Sequence, residues 1–177
     1  GCGRVGLAML AYEVGRSLAP IPFGPSVYVA TEAIIRFGSD AQKNMWLPKL
    51  AEGSVIGTFA FTEKPGQNGP SRADATVSGG KITGTKMPVA DGSEANVAIV
   101  AASEHGEIGL YVVALDSEGV SRTALDSFDT SRGQAKLSFD GAACEKLDSA
   151  DAAGIAKLLD VAATLQAFEQ VGAAERA

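Results

Sequence analysis

Between residues 5 and 52 the apolar positions recur with a helical period. Residues 5–18 are apolar on nearly every face, which predicts a buried helix, and a second helical pattern covers 27–37 and ends at Gly38. Ser39 and Gln42 have the spacing of a capping box at the start of a third helix over 40–52, which Pro48 is expected to bend or shorten. Three helices are therefore predicted at the start of the chain.

After Gly53 the apolar pattern becomes that of strands. Short runs rich in Val, Ile, Thr and Phe, separated by turns, occur at 55–62, 75–78, 82–86, 97–102, 108–115, 121–124 and 134–139. Strands this short and this closely spaced are typical of a small antiparallel barrel or sandwich.

From Asp148 the helical period returns and continues to the last residue. The apolar side of this helix is formed by Ile155, Leu158, Leu159, Ala162, Leu165 and Phe168. Such a stripe needs packing partners that the chain barely supplies, so we expect them in further sequence or in another subunit.

These three patterns predict an α+β fold in three parts. They are a partial N-terminal helical domain (1–53), an antiparallel β-barrel domain (54–147) and the first helix of a C-terminal helical bundle (148–177). Because the chain starts without Met and stops inside a helical pattern, we expect it to be a piece of a longer protein.

Composition and charge exclude several classes of partner. Apolar residues make up 46% of the 177 residues and the formal net charge is −6, with basic residues scattered, so we expect neither a nucleic-acid nor an anionic-membrane partner. Cys2 and Cys144 follow no ligand spacing and are expected to be free thiols. The first apolar stretch is too short and too charged to span a membrane. We therefore expect a cytoplasmic protein.

Three stretches resemble the acyl-CoA dehydrogenase family of flavoproteins. RFGSDAQKNMWLPKLAEG at 36–53 is similar to the family's helix before the barrel, FAFTE at 59–63 resembles its first barrel strand, and QVGAAERA at 170–177 resembles the opening of its first bundle helix. The resemblance covers essentially the whole chain but only part of the family's usual length. It implies an incomplete subunit of an FAD-dependent oxidoreductase of fatty acid metabolism.

The resemblance also implies a substrate, partners and a site. The family dehydrogenates acyl-CoA thioesters between the α and β carbons, works as homo- or hetero-oligomers and passes electrons to an electron-transfer flavoprotein. Its barrel holds one face of the flavin of FAD, so Phe59, Phe61 and Thr62 would contact the ring, Thr62 through its hydroxyl or main-chain N–H. From the residues alone, an alternating strand is also an ordinary core strand, and this alternative stays open.

Several positions depart from the family pattern. Asn68 stands in the loop where the family has a Gly-Ser or Gly-Thr pair, Pro88 replaces a large aromatic residue, and Ala90 replaces a hydroxyl. We expect these changes to weaken the flavin site. Arg132 precedes the last predicted strand and would either meet an FAD phosphate across an interface or lie in a solvated turn.

No catalytic base can be assigned from the sequence. The family uses a glutamate, in most members beyond the end of this chain and in a minority on the first bundle helix, at a position that falls near Ala162; Asp160 is the nearest carboxylate. Glu169 and Glu175 are interpreted as a solvated helix face, and His105 as a surface turn residue. Three hypotheses follow: an acyl-CoA dehydrogenase subunit, a catalytically silent partner subunit of a heteromeric enzyme, and a scaffold without a redox role.

Overall fold

The computed structural model describes residues 3–64, 72–129 and 131–177. Its helices are α1 (Gly3–Ser17), a π-helical segment (Gly24–Thr31), α2 (Glu32–Phe37), α3 (Asp40–Glu52) and α4 (Ala152–Arg176). None of the helices among the described residues combines the length and the hydropathy that a membrane span requires. The predicted helices are all present, although α4 begins at Ala152, where the Asp151 side chain accepts a hydrogen bond from Gly154 N.

The predicted capping box fixes the start of α3. Ser39 Oγ accepts a hydrogen bond from Gln42 N at 3.3 Å, and Gln42 Oε1 accepts one from Ser39 N at 3.0 Å. The Gln42 amide also donates to the Lys146 carbonyl at 3.0 Å, which ties this helix to the sheet. Pro48 lies inside α3 without shortening it, and Gly53, with φ of 72°, ends it in the left-handed conformation.

The middle of the chain forms one sheet. Its strands are β1 (Gly57–Ala60), β2 (Thr76–Ser78), β3 (Lys81–Ala90), β4 (Val97–Glu104), β5 (Glu107–Ala114), β6 (Val120–Leu125), β7 (Gln134–Ala143) and β8 (Glu145–Lys146). All seven predicted strands are present, and among the described residues the two-residue β8 is the one strand that was not predicted.

The sheet is not the closed antiparallel barrel that the strand pattern predicts. Its order is β6-β7-β3-β2-β4-β5-β8, so the edge strands β6 and β8 are not paired with each other in the described residues. β1 pairs with β4 in parallel, and β2 also meets β4 in parallel. Period-two alternation identifies strands but does not determine which strand lies beside which, and for this reason the closure was predicted wrongly. The α+β class with N-terminal helices is confirmed.

β4 lies at the centre of the sheet, and both of its faces are covered. Ala98 and Val100 belong to a core that continues through Tyr111 on β5. On the opposite face, Ile99 packs in a second core with Ile155 and with side chains of α2 and α3. Residues buried on both faces read as a continuous apolar run, which explains why 97–102 lacks alternation.

α1 is the packing partner of α4, which corrects the expectation that the chain barely supplies one. A Cβ added at Gly15 would lie 1.9 Å from the Glu169 carbonyl oxygen, and one at Gly172 would lie 2.0 Å from the Tyr12 carbonyl oxygen. The two backbones therefore touch at these glycines. Val171 stays exposed beside this contact.

The exposure of His105, Glu175 and Cys144 bears on three smaller predictions. His105 is exposed, with φ of 54°, in the turn between β4 and β5. Glu175 is exposed, as predicted. Cys144 is a free thiol whose pKa burial raises to about 11, whereas Cys2 lies outside the described residues.

Candidate functional site

Two aromatic rings are stacked at the end of β1, one on the strand and one just after it. The Phe59 and Phe61 ring centroids are 5.6 Å apart and the ring planes differ by 9°. Both rings pack against the helices rather than against the core on the far side of the sheet. The pair forms a flat apolar surface at the helix-facing side of the strand end.

Hydrogen bonds to β3 fix β1 and the residues that follow it. Met87 N donates to the Thr62 carbonyl at 2.8 Å, and Thr58 Oγ1 donates to the Ala90 carbonyl at 2.6 Å. In the described ranges no hydrogen bond reaches the Thr62 hydroxyl, so this group is available to a ligand.

A buried ion pair lies directly behind this strand end. Lys86 is fully buried, and its Nζ donates to Glu63 Oε1 at 2.6 Å and to the Phe61 carbonyl at 3.3 Å. The Glu63 carboxylate also accepts from the main-chain N–H groups of Asp74 and Ala75. Although burial opposes it, hydrogen bonding to Lys86 and to these amides holds the pKa of Glu63 below its ordinary value. Burial lowers the pKa of Lys86.

Beside β1 lies an apolar cavity of about 380 Å³, which we call the apolar cavity. It is bounded by the π-helical segment, β1, the end of β3, the loop before β7 and α4. Its lining residues are Gly24, Pro25, Tyr28, Val29, Phe59, Ala90, Arg132, Leu159, Ala162, Ala163 and Gln166.

This cavity brings together part of the predicted flavin-contacting set. Phe59, Ala90 and Arg132 line it, although they are far apart in sequence. Phe61 stacks behind Phe59 and does not line the cavity, and neither does Thr62. Two further predicted residues stand apart: Pro88 is exposed and lines none of the cavities described, and Asn68 lies outside the described residues. The functional roles of all seven residues remain predictions.

The π-helical segment brings a wide helix surface to the cavity. Gly24, Pro25, Tyr28 and Val29 all line it. Irregular helical turns of this kind are frequent at functional sites. The segment also places the Tyr28 hydroxyl toward α4, where it donates to Glu169 Oε2 at 3.0 Å.

Glu169 is the centre of a buried polar cluster, and the prediction that it belongs to a solvated face is wrong. Its side chain is only 5% exposed and forms an ion pair with Arg132 through Oε1, while Oε2 accepts from Tyr28. Burial, with the Glu169 charge adding to it, raises the pKa of Tyr28, so the phenol keeps its proton and remains a donor. We call Tyr28, Arg132 and Glu169 the Glu169 cluster.

A second cavity of about 430 Å³ adjoins the first, and we call it the polar cavity. The two share Ala90, Arg132 and Gln166 in their linings. Most side chains of the polar cavity are polar or charged, and Glu169 is among them. Arg132 and Gln166 therefore lie where the two cavities meet.

Asp91 is a further buried acid near this junction. It is 7% exposed, and its Oδ2 has no hydrogen-bond partner in the described residues. Burial raises the pKa of Asp91, although the Arg132 charge opposes the rise.

Sequence reasoning missed Lys86, Tyr28, Gln166 and Glu169. For two of them the sequence spacing indicates that the side chain is buried. Lys86 follows Ile82 at an even spacing, which places it on the buried face of β3, and Glu169 continues the α4 stripe four residues after Leu165. The roles of Tyr28 and Gln166 depend on contacts between distant segments, for which the pattern contains no signal.

The chain matches the model of the acyl-CoA dehydrogenase N-terminal domain over residues 1–54. It is 32% identical over 125 residues to acyl-CoA dehydrogenase FadE27 of Mycobacterium tuberculosis, an alignment that covers 71% of this chain and 33% of the relative. The chain thus spans about a third of the length of this curated relative.

Two solved structures have the same fold. The Tcur3481–Tcur3483 steroid acyl-CoA dehydrogenase matches with a TM-score of 0.85 and 29% identity, over 99% of this chain and 48% of that one. Glutaryl-CoA dehydrogenase of Mycobacterium smegmatis, in complex with FADH2, matches with a TM-score of 0.79 and 28% identity, over 86% of this chain and 42% of that one. The chain belongs to the acyl-CoA dehydrogenase family.

Proposed function

We propose that this chain is a subunit of an FAD-dependent acyl-CoA dehydrogenase. In this proposal it forms one side of the active-site cavity that holds the flavin ring and the acyl group. The observation that carries this proposal is the apolar cavity, which unites Phe59, Ala90 and Arg132 with Ala162. Ligand sites are mostly apolar clefts with a few convergent polar groups, and this cavity has that character.

The residues at this cavity fit a flavin ring. Phe59, backed by Phe61, offers a flat apolar surface. Gln166 lines both cavities, and its amide forms no hydrogen bond with the described residues, while the Thr62 hydroxyl at the nearby strand end is likewise available for a polar ring edge. FAD, when bound, would supply the acceptor for a hydride from the acyl group. The FADH2 complex of the similar glutaryl-CoA dehydrogenase supports this assignment.

The described residues position a ligand but do not take its proton. No carboxylate is among the described residues that line the apolar cavity. Glu169, next to it, has both carboxylate oxygens engaged by Arg132 and Tyr28. In this proposal the base that removes the α proton comes from outside the described residues.

A second candidate is a catalytically silent partner subunit of a heteromeric acyl-CoA dehydrogenase. Ala162 favours it, because this residue lines the apolar cavity and cannot accept a proton, and the family resemblance implies that the glutamate of a minority of members falls near it. The name of the similar steroid enzyme joins two proteins, which agrees with a paired assembly. In either case we propose an oligomer in the cytoplasm with an electron-transfer flavoprotein as acceptor.

The test uses the protein purified in its native assembly, with its bound FAD counted per chain. Ala162→Leu narrows the apolar cavity, whereas Ala153→Leu makes the same change at an exposed position of α4. We expect Ala162→Leu to weaken acyl-CoA binding at least about tenfold, which corresponds to the free-energy cost of overpacking a filled site, and Ala153→Leu to leave it unchanged. Equal binding in both variants would contradict the proposed site.

Flavin stoichiometry and turnover separate the two candidates. One FAD per copy of this chain, with acyl-CoA-dependent reduction of an electron-accepting dye, supports the catalytic subunit. FAD bound only in proportion to a different subunit supports the silent partner. An assembly without FAD contradicts both.

A further inference from the structure

Arg132 is the only cation that lines either cavity in the part of the chain that the structure describes. Its planar fork of N–H donors is the protein group best suited to bind a carboxylate or phosphate in two places at once. In such a position an arginine would ordinarily recognise an anionic part of a ligand.

Glu169 already occupies this arginine. Its carboxylate is paired with the guanidinium, and the Glu169 side chain is 5% exposed, so water weakens the pair less than it would weaken a fully exposed one. The Tyr28 hydroxyl donates a hydrogen bond to the second carboxylate oxygen at 3.0 Å, which keeps the Glu169 carboxylate in this orientation. The pair is therefore neutral where the two cavities meet.

The polar cavity carries a second negative charge. Asp129 lines it, with its carboxylate accepting from Ser131 N and from Ser131 Oγ. With one cation and two anions among its described lining residues, this cavity repels anions. A ligand group that extends from the apolar cavity toward Arg132 thus meets a polar surface with no net positive charge.

We propose that Glu169 is a specificity-determining residue that masks Arg132 and so admits acyl groups with an uncharged end while rejecting those that end in a carboxylate. This inference depends on the proposed function, because it assumes that the apolar cavity holds the acyl group. Glu169 acts through Arg132 and takes no part in the reaction itself.

The test compares two six-carbon probes, hexanoyl-CoA and adipoyl-CoA, which differ by a terminal carboxylate. Binding of each to the native assembly is measured by calorimetry for the parent protein, Glu169→Gln and Glu175→Gln. The last variant is the matched control, since it makes the same change on the same helix at a side chain that is 61% exposed. We expect Glu169→Gln to shift the affinity ratio at least about tenfold toward adipoyl-CoA, as hydrogen bonds to an unmasked charge do, and Glu175→Gln to leave it unchanged.

Two further variants test whether Glu169 masks Arg132. The double variant Arg132→Gln/Glu169→Gln removes both charges and is expected to return the ratio to the parent value. If Glu169→Gln does not fold, Glu169→Asp, which shortens the masking acid, is expected to shift the ratio in the same direction by a smaller factor.

Failure of the masking role and failure of the proposed function give different binding results. If both probes bind and the ratio does not move in Glu169→Gln, or in Glu169→Asp where that variant replaces it, the masking role is wrong and the proposed function stands. If the parent protein binds neither probe, the proposed function fails, and the inference fails with it.

Discussion

Two ion pairs of the described residues, Glu63–Lys86 and Arg132–Glu169, differ in what surrounds them. Glu63–Lys86 lies beside the sheet, and main-chain groups of Phe61, Asp74 and Ala75 are among its hydrogen-bond partners. Arg132–Glu169 connects a loop to α4 and borders two cavities. The first pair is buried and fixes main-chain segments, whereas a ligand can approach the second pair from the cavities.

This difference suggests two different uses of buried charge. A buried pair saturated by backbone donors holds a strand end in place, since each partner would be left uncompensated if the other were removed. A pair at a cavity wall also controls what the cavity accepts. We therefore expect Glu63–Lys86 to dominate stability and Arg132–Glu169 to dominate ligand choice.

The largest expected effect is at Lys86. Lys86→Met leaves the Glu63 carboxylate buried without its cation, and we expect the free energy of unfolding to fall by about 3–5 kcal/mol. Urea denaturation measures the loss. The matched control is Lys64→Met, at a side chain that is 66% exposed and paired with Asp74, where we expect little change. Similar losses in both variants would contradict the assigned role of the buried pair.

A smaller loss of stability is expected at the Glu169 cluster. Glu169→Ala should reduce the free energy of unfolding by about 2–3 kcal/mol, less than at Lys86 because the Arg132 side chain is 29% exposed and water partly replaces its partner. Glu175→Ala serves as the control in the same denaturation experiment. A loss at Glu169 larger than at Lys86 would reverse the comparison of the two pairs.

Removing one hydrogen bond from the cluster tests how Tyr28 contributes. Tyr28→Phe keeps the ring in the core and deletes only the donor to Glu169, so we expect a loss of about 1 kcal/mol. Thermal unfolding would detect it. No loss in this variant would show that Tyr28 does not support the carboxylate.

The smallest expected effects are those of pH, and they have opposite signs at Glu63 and Asp91. The pKa of Glu63 is lowered in the folded state, so its stabilisation is present above the ordinary value near 4.5 and is lost as the pH falls below it. The pKa of Asp91 is raised by burial, so its ionisation costs stability as the pH rises above the ordinary value near 3.8.

Two amide variants separate these contributions. We expect Glu63→Gln to flatten the acid side of the profile of stability against pH, and Asp91→Asn to gain stability relative to the parent protein at neutral pH but not at strongly acidic pH. Parallel profiles for Asp91→Asn and the parent would show that the Asp91 carboxyl is not destabilised by burial.

Sequence patterns identified the elements of the fold better than their arrangement. Capping at Ser39 and Gln42 and alternation in the strands are local signals, and the corresponding helix and strands are present. The open sheet and the parallel pairing of β1 with β4 depend on contacts between distant segments, so periodicity could not predict them. The burial of Glu169 could have been predicted by extending the α4 stripe beyond Leu165.

The candidate site was predicted in part. Family resemblance named Phe59, Ala90 and Arg132 as cofactor contacts, and these residues line one cavity, although that role stays a prediction. It did not indicate that a glutamate from α4 pairs with the arginine. Because a charged residue on a long helix is usually solvated, Glu169 was predicted to be exposed, although it is buried.

A crystal structure of the native assembly with FAD and an acyl-CoA tests the proposed site most directly. We predict electron density for the flavin ring beside Phe59 and Ala90 and for the acyl group in the apolar cavity next to Ala162. A flavin or acyl group bound elsewhere, with the apolar cavity filled by side chains of a neighbouring helix, would contradict it.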